Sequence, residues 1–220
     1  MRKNSAPWQQ VAATFHSKAR EYDNWYEKSL LFEIELSALQ GLKTLQPSPK
    51  LELGVGPGRF AQALKIDLGL DPAFAPLKIS QERNIIPCQA IGEMLPFKNN
   101  CLGSIFLLFT LCFLTDPQKT MKECFRVLKK DGRIIIGMVP AGSAWGLLLA
   151  KKKNTHHPFY RHASFYKIKS VTDWLAKTGF EISETKSTLF QNPDSVTNHE
   201  QASTGLDENA GFAIIAATRP

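Results

Sequence analysis

The sequence lacks the features that define several classes of protein. Only 4 of the 220 residues are cysteine, and no two form a Cys-x-x-Cys pair, so no redox dithiol or metal site is predicted. The longest apolar run, Ile105 to Leu114, is about half of the roughly 20 residues that a membrane span needs. The first residues also lack the apolar segment of a secretory signal. We therefore expect a cytoplasmic protein without a membrane span, whose cysteines act as small apolar side chains.

Basic residues outnumber acidic ones, but they are not concentrated. The formal net charge is +7, and the only tight basic run is Lys151-Lys152-Lys153. A nucleic-acid surface requires bases clustered on one face, whereas scattered bases are typical of a solvated surface. We therefore expect no nucleic-acid partner.

Strand and helix patterns alternate along most of the chain. Residues 8–45 have helical apolar spacing and predict two helices that break near Tyr22-Asp23. Predicted strands follow at 50–53, 65–70, 85–90, 102–109, 133–139, 180–188 and 212–218. Predicted helices between them cover 60–64, 74–81, 117–129, 144–152 and 170–178, and residues 191–209 read as a long loop. This alternation predicts an α/β fold with a mostly parallel, doubly wound sheet (residues 47–220) beneath an N-terminal helical cap (residues 1–46).

The end of the first strand carries the most informative motif. Glycines occupy alternate positions at Gly54, Gly56 and Gly58, where the strand passes into a helix. Such a turn lets a ligand approach the backbone closely. A dinucleotide site would have a further glycine at the position of Arg59, so NAD is disfavoured. Glu52, inside the strand, would repel a pyrophosphate but suits a ligand that carries an ammonium or sulfonium.

A second carboxylate, Asp71, ends the next strand and is followed by Pro72. A carboxylate at this position can accept both hydroxyls of a ribose. Together with Glu52, it indicates a cationic, adenosine-containing ligand, and S-adenosylmethionine fits that description.

These motifs resemble those of class I S-adenosylmethionine-dependent methyltransferases of the small-molecule type, related to the ubiquinone/menaquinone-biosynthesis enzymes. The landmarks occur in family order: 51–58 (LELGVGPG), 69–72 (GLDP), 92–97 (GEMLPF), 125–136 (FRVLKKDGRIII) and 179–180 (GF). The resemblance covers roughly residues 20–218. It implies a Rossmann-like three-layer α/β/α fold with a seven-stranded sheet, the last strand antiparallel.

The resemblance also implies roles for individual residues around the cofactor. Glu52, Gly54 and Gly56 would hold the methionine end, and Gly58 would let the next helix start close by. Asp71 would bind the ribose, with Pro72 and the backbone of Ile91 and Gly92 against the adenine. The remaining contacts implied are Phe109 and Thr110 beside the sulfonium and, as aromatics closing over it, Tyr22 and Trp25. No metal is implied.

The acceptor side is less defined by the sequence. The aromatic cluster after the fifth strand predicts substrate contacts at Tyr160, His162 and Phe165. His16 and His162 are candidate general bases, while His156-His157 is expected on a surface loop. No catalytic residue is named, because methyl transfer chiefly requires alignment of donor and acceptor and exclusion of water.

Three functional classes remain open from the sequence. The first is an enzyme that methylates a small molecule by in-line displacement. The second is a non-catalytic protein that binds the cofactor, since Ile91 and Gly103 stand where relatives often have Asp. The third is an RNA methyltransferase, which the absence of an Asn-Pro-Pro-Tyr type of motif after the fourth strand disfavours.

Overall fold

The computed structural model describes residues 6–220, so residues 1–5 of the predicted cap lie outside the described part. The cap contains three helices, α1 (Pro7–Ser17), α2 (Ala19–Asn24) and α3 (Leu30–Gln40). The predicted break near Tyr22-Asp23 is wrong, because α2 runs through both residues. The helices part instead at Lys18, whose φ of −123° is not helical, and before Ser29, whose side chain accepts from Phe32 N at 3.3 Å.

The rest of the chain alternates between strands and helices as predicted. The strands are β1 (Lys50–Leu53), β2 (Leu68–Leu70), β3 (Ile86–Cys88), β4 (Leu102–Leu108), β5 (Leu128–Met138), β6 (Glu181–Thr188), β7 (Ser203–Thr204) and β8 (Phe212–Thr218). The helices are α4 (Arg59–Ala63), α5 (Phe74–Glu82), α6 (Pro117–Val127), α7 (Ala144–Asn154) and α8 (Ile168–Thr178), with short 3₁₀ helices at Leu111–Phe113 and Tyr160–His162.

All eight strands form one sheet in the order β3-β2-β1-β4-β5-β8-β6-β7. Strands β1 to β5 pair in parallel, and β8 runs antiparallel to both of its neighbours. The doubly wound sheet with an antiparallel last strand is therefore confirmed. The predicted strand count was one too low, because two residues of the loop at 191–209 pair with β6 as β7.

Two apolar clusters cover the two faces of the sheet and make the fold three-layered. On one face, Met121 of α6 and Leu175 of α8 pack against Leu51 and Ile134. On the other, a second cluster holds side chains of α3, α4 and α5, including Ile34, Phe60 and Leu77. Within residues 6–220, no helix is both long and apolar enough to cross a membrane.

Gly103 occupies its position in β4 for a packing reason. A Cβ there would lie 2.3 Å from the carbonyl oxygen of Pro47, in the segment that leads into β1. Ser104 Oγ donates to the same oxygen at 2.8 Å. Gly103 therefore allows close contact between two backbone segments and lies at the start of β4, away from its carboxyl end.

The strand order reverses between β1 and β4, which are adjacent although β2 and β3 intervene in sequence. At such a switch point the loops leave the two strands in opposite directions, and a crevice opens beyond their carboxyl ends. Side chains of α1 and α2 lie over this crevice, whereas α3 packs in the second apolar cluster.

Candidate functional site

The glycine loop after β1 is fixed by backbone hydrogen bonds to the end of β2. The N–H groups of Gly54 and Val55 both donate to Leu70 O, at 2.7 and 3.0 Å. Gly54 has a φ of +76°, and a Cβ on it would lie 2.2 Å from Thr110 Oγ1. Only glycine fits between the ends of β1 and β4 here, so the loop backbone is held at the floor of the crevice.

Asp71 joins the end of β2 to this loop. Its Oδ2 accepts from Gly56 N at 3.0 Å, and its Oδ1 accepts from Ala73 N at 2.8 Å. Burial raises the pKa of Asp71 to about 6, although the two backbone donors act in the opposite direction. Because a carboxylate has about four acceptor positions, lone pairs remain for a ligand.

A narrow cavity of about 80 Å³ opens over the loop and Asp71. The structure brings nine of the twelve predicted cofactor residues into its wall. These are Tyr22, Gly54, Gly56, Asp71, Pro72, Ile91, Gly92, Phe109 and Thr110. A Cβ added to Gly56 would meet only Tyr22, at 3.6 Å, so the cavity reaches the backbone at that glycine.

The other three predicted residues lie elsewhere. Glu52 is buried behind the loop and does not line the cavity, although its Oε2 has no hydrogen-bond partner in the described chain. Burial raises the pKa of Glu52 well above its ordinary value, and the charge of Asp71 adds to this. Gly58 is the N-cap of α4 and packs on Ser80, while Trp25 lines a different cavity.

The cap covers the narrow cavity with residues that sequence reasoning missed. One face of α1 contributes Trp8, Val11, Ala12 and Phe15, and the segment after β4 adds Phe113 and Leu114. The positions on α1 recur at the i, i+3, i+4 and i+7 spacing of one helical face. That spacing in the sequence indicates that this face of α1 packs against the body of the protein.

A half-buried cluster of ion pairs connects the cap to the glycine loop. Asp23 of α2 accepts from Arg59 Nε at 2.6 Å and from Arg83 at 2.9 Å, and Arg83 also donates to Pro57 O. Burial alone would raise the pKa of Asp23, but the two arginines outweigh it and lower that pKa. Arg59, which stands where a dinucleotide site has glycine, thus connects the loop to the cap.

A second, wider cavity of about 460 Å³ adjoins the first. The two share Tyr22, Phe109 and Phe113 in their walls. Most of the wider wall is aromatic or aliphatic. Its aromatic members include Trp25, Tyr26, Phe32, Trp145, Phe159, Tyr160 and Phe165.

The predicted substrate residues divide between cavity and surface. Tyr160 and Phe165 line the wide cavity. His162 lines neither cavity, and its Nε2 accepts from Arg161 Nε at 2.9 Å. His16 also lines neither cavity. Its Nδ1 accepts from Ala75 N at 3.2 Å, so this side chain connects α1 to α5.

His156 and His157 lie in the loop after α7 as expected, but His157 is only partly exposed and its ring turns inward. Its ring is 5.0 Å from that of Tyr160 and 5.9 Å from that of Trp25, and it lines the wide cavity. Its Nδ1 is buried without a hydrogen-bond partner among residues 6–220. Burial and the nearby Lys152 lower the pKa of His157 and favour the neutral ring.

Glu35 of α3 is the acidic residue that sequence reasoning missed. It lines the wide cavity together with Leu31 and Phe32, one turn earlier on the same helical face. The signal was a glutamate at a position where the spacing of Leu31, Ile34 and Leu39 predicts an apolar residue. Burial raises the pKa of Glu35 to about 8.

The two cavities can hold two ligands in contact. The narrow one offers backbone groups and one carboxylate under an apolar cover, and the wide one offers aromatic surface. Shared walls make the ligands neighbours, and an apolar lining excludes water where they meet. Such an arrangement suits transfer of a group from one small molecule to another.

Residues 51–136 match the family model described as methyltransferase domain (Methyltransf_11). An uncharacterized protein of Mycobacterium tuberculosis is 34% identical over 96% of this chain and 79% of its own length. The ubiquinone/menaquinone biosynthesis C-methyltransferase of Klebsiella pneumoniae is 25% identical over 93% of this chain and 83% of its own length.

A solved structure from Thermotoga maritima resembles the chain in both fold and sequence. It is described as a SAM-dependent methyltransferase, possible histamine N-methyltransferase. Its TM-score is 0.88 at 31% identity, and the match covers 96% of this chain and 100% of that one.

Proposed function

The chain belongs to the methyltransferase-11 family of class I S-adenosylmethionine-dependent methyltransferases, and from this premise we propose that it transfers a methyl group from S-adenosylmethionine to a small-molecule acceptor. The observation that carries the proposal is the pair of adjoining cavities at the switch point of the sheet. The narrow cavity is the donor site and the wide cavity is the acceptor site.

The residues of the narrow cavity fit S-adenosylmethionine. Asp71 keeps free acceptor positions for the two ribose hydroxyls. Pro72, Ile91 and Gly92 supply an apolar surface for the adenine, and Ile91 contributes an aliphatic side chain where the resemblance leads us to expect Asp. An adenosine moiety requires this combination of one carboxylate and flat apolar contacts.

The methionine end is assigned to the loop between β1 and α4. Gly54 and Gly56 present backbone to the cavity, and a side chain on either would intrude on Thr110 or on the cavity itself. Glu52 is assigned to the same end, because its buried Oε2 has no hydrogen-bond partner within residues 6–220. An ammonium group that reached this oxygen would satisfy it and favour its ionised form.

Aromatic side chains surround the point where the cavities meet. Tyr22, Phe109 and Phe113 line both, and the ring of Phe15 is 5.1 Å from those of Tyr22 and Phe113. When bound, S-adenosylmethionine supplies an electrophilic methyl group on a sulfonium. The aromatic faces would attract that positive charge, exclude water and keep the acceptor next to the donor.

The test combines cofactor binding with methyl transfer. We expect S-adenosylhomocysteine to bind in isothermal titration and to raise the melting temperature, whereas NAD at the same concentration does neither. No response to millimolar S-adenosylhomocysteine would refute the proposal.

Methyl transfer is then measured with radiolabelled S-adenosylmethionine against a metabolite panel and against total RNA. Label in a small molecule supports the proposal, and label in RNA alone supports the nucleic-acid alternative. Cofactor binding without transfer to either would favour a non-catalytic role.

A further inference from the structure

We infer that the acceptor is a small amine and that Glu35 binds its nitrogen and takes up the proton released on methylation. This inference rests on the proposed function, because it assigns the wide cavity to the acceptor.

The first observation is the placement of the Glu35 carboxyl. Glu35 is 9% exposed and contributes to the wall of the wide cavity. Among residues 6–220, no hydrogen bond or ion pair reaches this carboxyl. Because an unpaired buried carboxyl lowers the stability of a fold, a ligand that pairs with it recovers part of that loss.

The second observation relates Glu35 to the junction of the two cavities. Glu35 lines the wide cavity together with Tyr22 and Tyr26, and the hydroxyls of these two tyrosines are 2.9 Å apart. Tyr22 also lines the narrow cavity. A nitrogen held by Glu35 therefore lies in the cavity whose wall includes Tyr22, which borders the donor site.

The third observation concerns the other groups that face the cavity. Cys112 and the three tyrosines have their pKa raised by burial and are uncharged near neutral pH, and the lowered pKa of His157 favours its neutral ring. Lys152 and Asp194 line the cavity too but are exposed. Glu35 is thus the buried acidic group of this cavity among the described residues.

An amine matches this environment better than other acceptors. Aromatic rings at Trp25, Phe159 and Tyr160 attract a cationic or partly positive nitrogen. A carboxylate or phosphate on the acceptor would lie beside the Glu35 carboxyl without water to screen it, so it could bind only while Glu35 stays protonated. A neutral alcohol can donate one hydrogen bond to Glu35 but gains no ion pairing.

The acceptor binds as an ammonium paired with the Glu35 carboxylate and first releases one proton to solvent. The neutral amine nitrogen then attacks the methyl carbon, a nitrogen–carbon bond forms, and the carbon–sulfur bond breaks with its electron pair left on sulfur. The products are S-adenosylhomocysteine and an N-methylammonium. One N–H proton of that ammonium passes to the Glu35 carboxylate, which becomes a carboxylic acid and later releases the proton to solvent.

The first experiment measures binding to the protein saturated with S-adenosylhomocysteine. The probes are size-matched triples of an amine, an alcohol and a carboxylate on propyl, phenylethyl and indolylethyl frameworks. At pH 9, where Glu35 is ionised, we expect at least one amine to bind about tenfold more tightly than its alcohol, since a charged hydrogen bond adds roughly 1.5 kcal/mol, and no carboxylate to bind. Glu35→Gln should abolish the preference for the amine and leave the alcohol unaffected.

The matched control is Glu33→Gln, which changes an exposed glutamate on the same helix. It should keep the preference of the wild type. Titration of S-adenosylhomocysteine into the wild type and both variants separates the two proposals. If the wild type does not bind S-adenosylhomocysteine, the proposed function is overturned. If it binds S-adenosylhomocysteine but shows no preference for any amine, the role of Glu35 is overturned.

The second experiment is the pH profile of methyl transfer to the best amine. With Glu35 as proton acceptor, log kcat/KM should rise more steeply between pH 6 and 8 in the wild type than in Glu35→Gln, which keeps only the ionisation of the amine. Equal slopes in the two proteins would overturn the proton-accepting role. Glu33→Gln should follow the wild type.

Discussion

The backbone N–H of Gly56 donates to Asp71 Oδ2 at 3.0 Å and connects the two motifs that lie at the ends of β1 and β2. The bond, made within the protein itself, holds the carboxylate against the loop. The polar part of the narrow cavity is therefore preorganised, and a ligand need not order it on binding.

Asp71→Asn should weaken binding of S-adenosylhomocysteine about 10- to 100-fold, because hydrogen bonds to a charged acceptor are worth roughly 1.5–3 kcal/mol. Isothermal titration of the folded variant measures the loss. The matched control is Asp67→Asn, at the opposite end of β2, where the carboxylate accepts from Lys50 N at 3.0 Å. It should bind like the wild type, and equal affinities of all three proteins would contradict the ribose assignment.

Gly54→Ala should both destabilise the protein and weaken the binding of S-adenosylhomocysteine. The new Cβ would meet Thr110 Oγ1 at 2.2 Å, so β4 or the loop must shift. Gly205→Ala is the control, since Gly205 also has a positive φ (+105°) but has no atom within 4 Å of an added Cβ. Both variants carry the backbone cost of about 1 kcal/mol. Urea unfolding should show a larger loss for Gly54→Ala, and a loss no larger than that of Gly205→Ala would refute the contact.

Positions at the ends of parallel strands were predictable from the sequence. Gly54 and Asp71 end adjacent strands of a sheet whose topology follows from the strand–helix alternation. Strand ends meet at one edge of such a sheet, so their neighbourhood does not depend on details of loop packing. Glu52 shows the limit of this reasoning, because its position in the strand was clear but its burial behind the loop was not.

Positions outside the sheet were predicted less well. Tyr22 and Trp25 were grouped as cofactor aromatics, but they lie three residues apart on a short helix and its end, and only Tyr22 reaches the narrow cavity. His157 and His162 follow α7 in an irregular segment, where no periodicity indicates which side chain faces inward. Tertiary packing decides such positions.

Asp23→Asn should loosen the cap, because it removes the charge that Arg59 and Arg83 share. We expect the free energy of unfolding to fall by about 1–2 kcal/mol, between the values for exposed and buried pairs. Dissociation of S-adenosylhomocysteine, measured by stopped flow, should be several-fold faster, since α1 and α2 cover the narrow cavity. Asp173→Asn removes an exposed pair with Lys169 and serves as the control. An unchanged dissociation rate in Asp23→Asn would show that these ion pairs do not slow the release of the cofactor.

Glu35 should make the stability of the ligand-free protein depend on pH in a defined direction. Its pKa is about 8 in the fold, against an ordinary value of 4.5, so between these values unfolding releases a proton. The free energy of unfolding of the wild type, relative to Glu35→Gln, should therefore fall as pH rises from 5 to 8, by up to about 1.4 kcal/mol per pH unit.

Urea unfolding at each pH measures this difference, in which the titration of all other groups cancels. Glu33→Gln, at an exposed position, should give a nearly constant difference from the wild type. A constant difference for Glu35→Gln as well would mean that the Glu35 carboxyl ionises as in water, which is incompatible with an unpaired carboxyl in an apolar cavity.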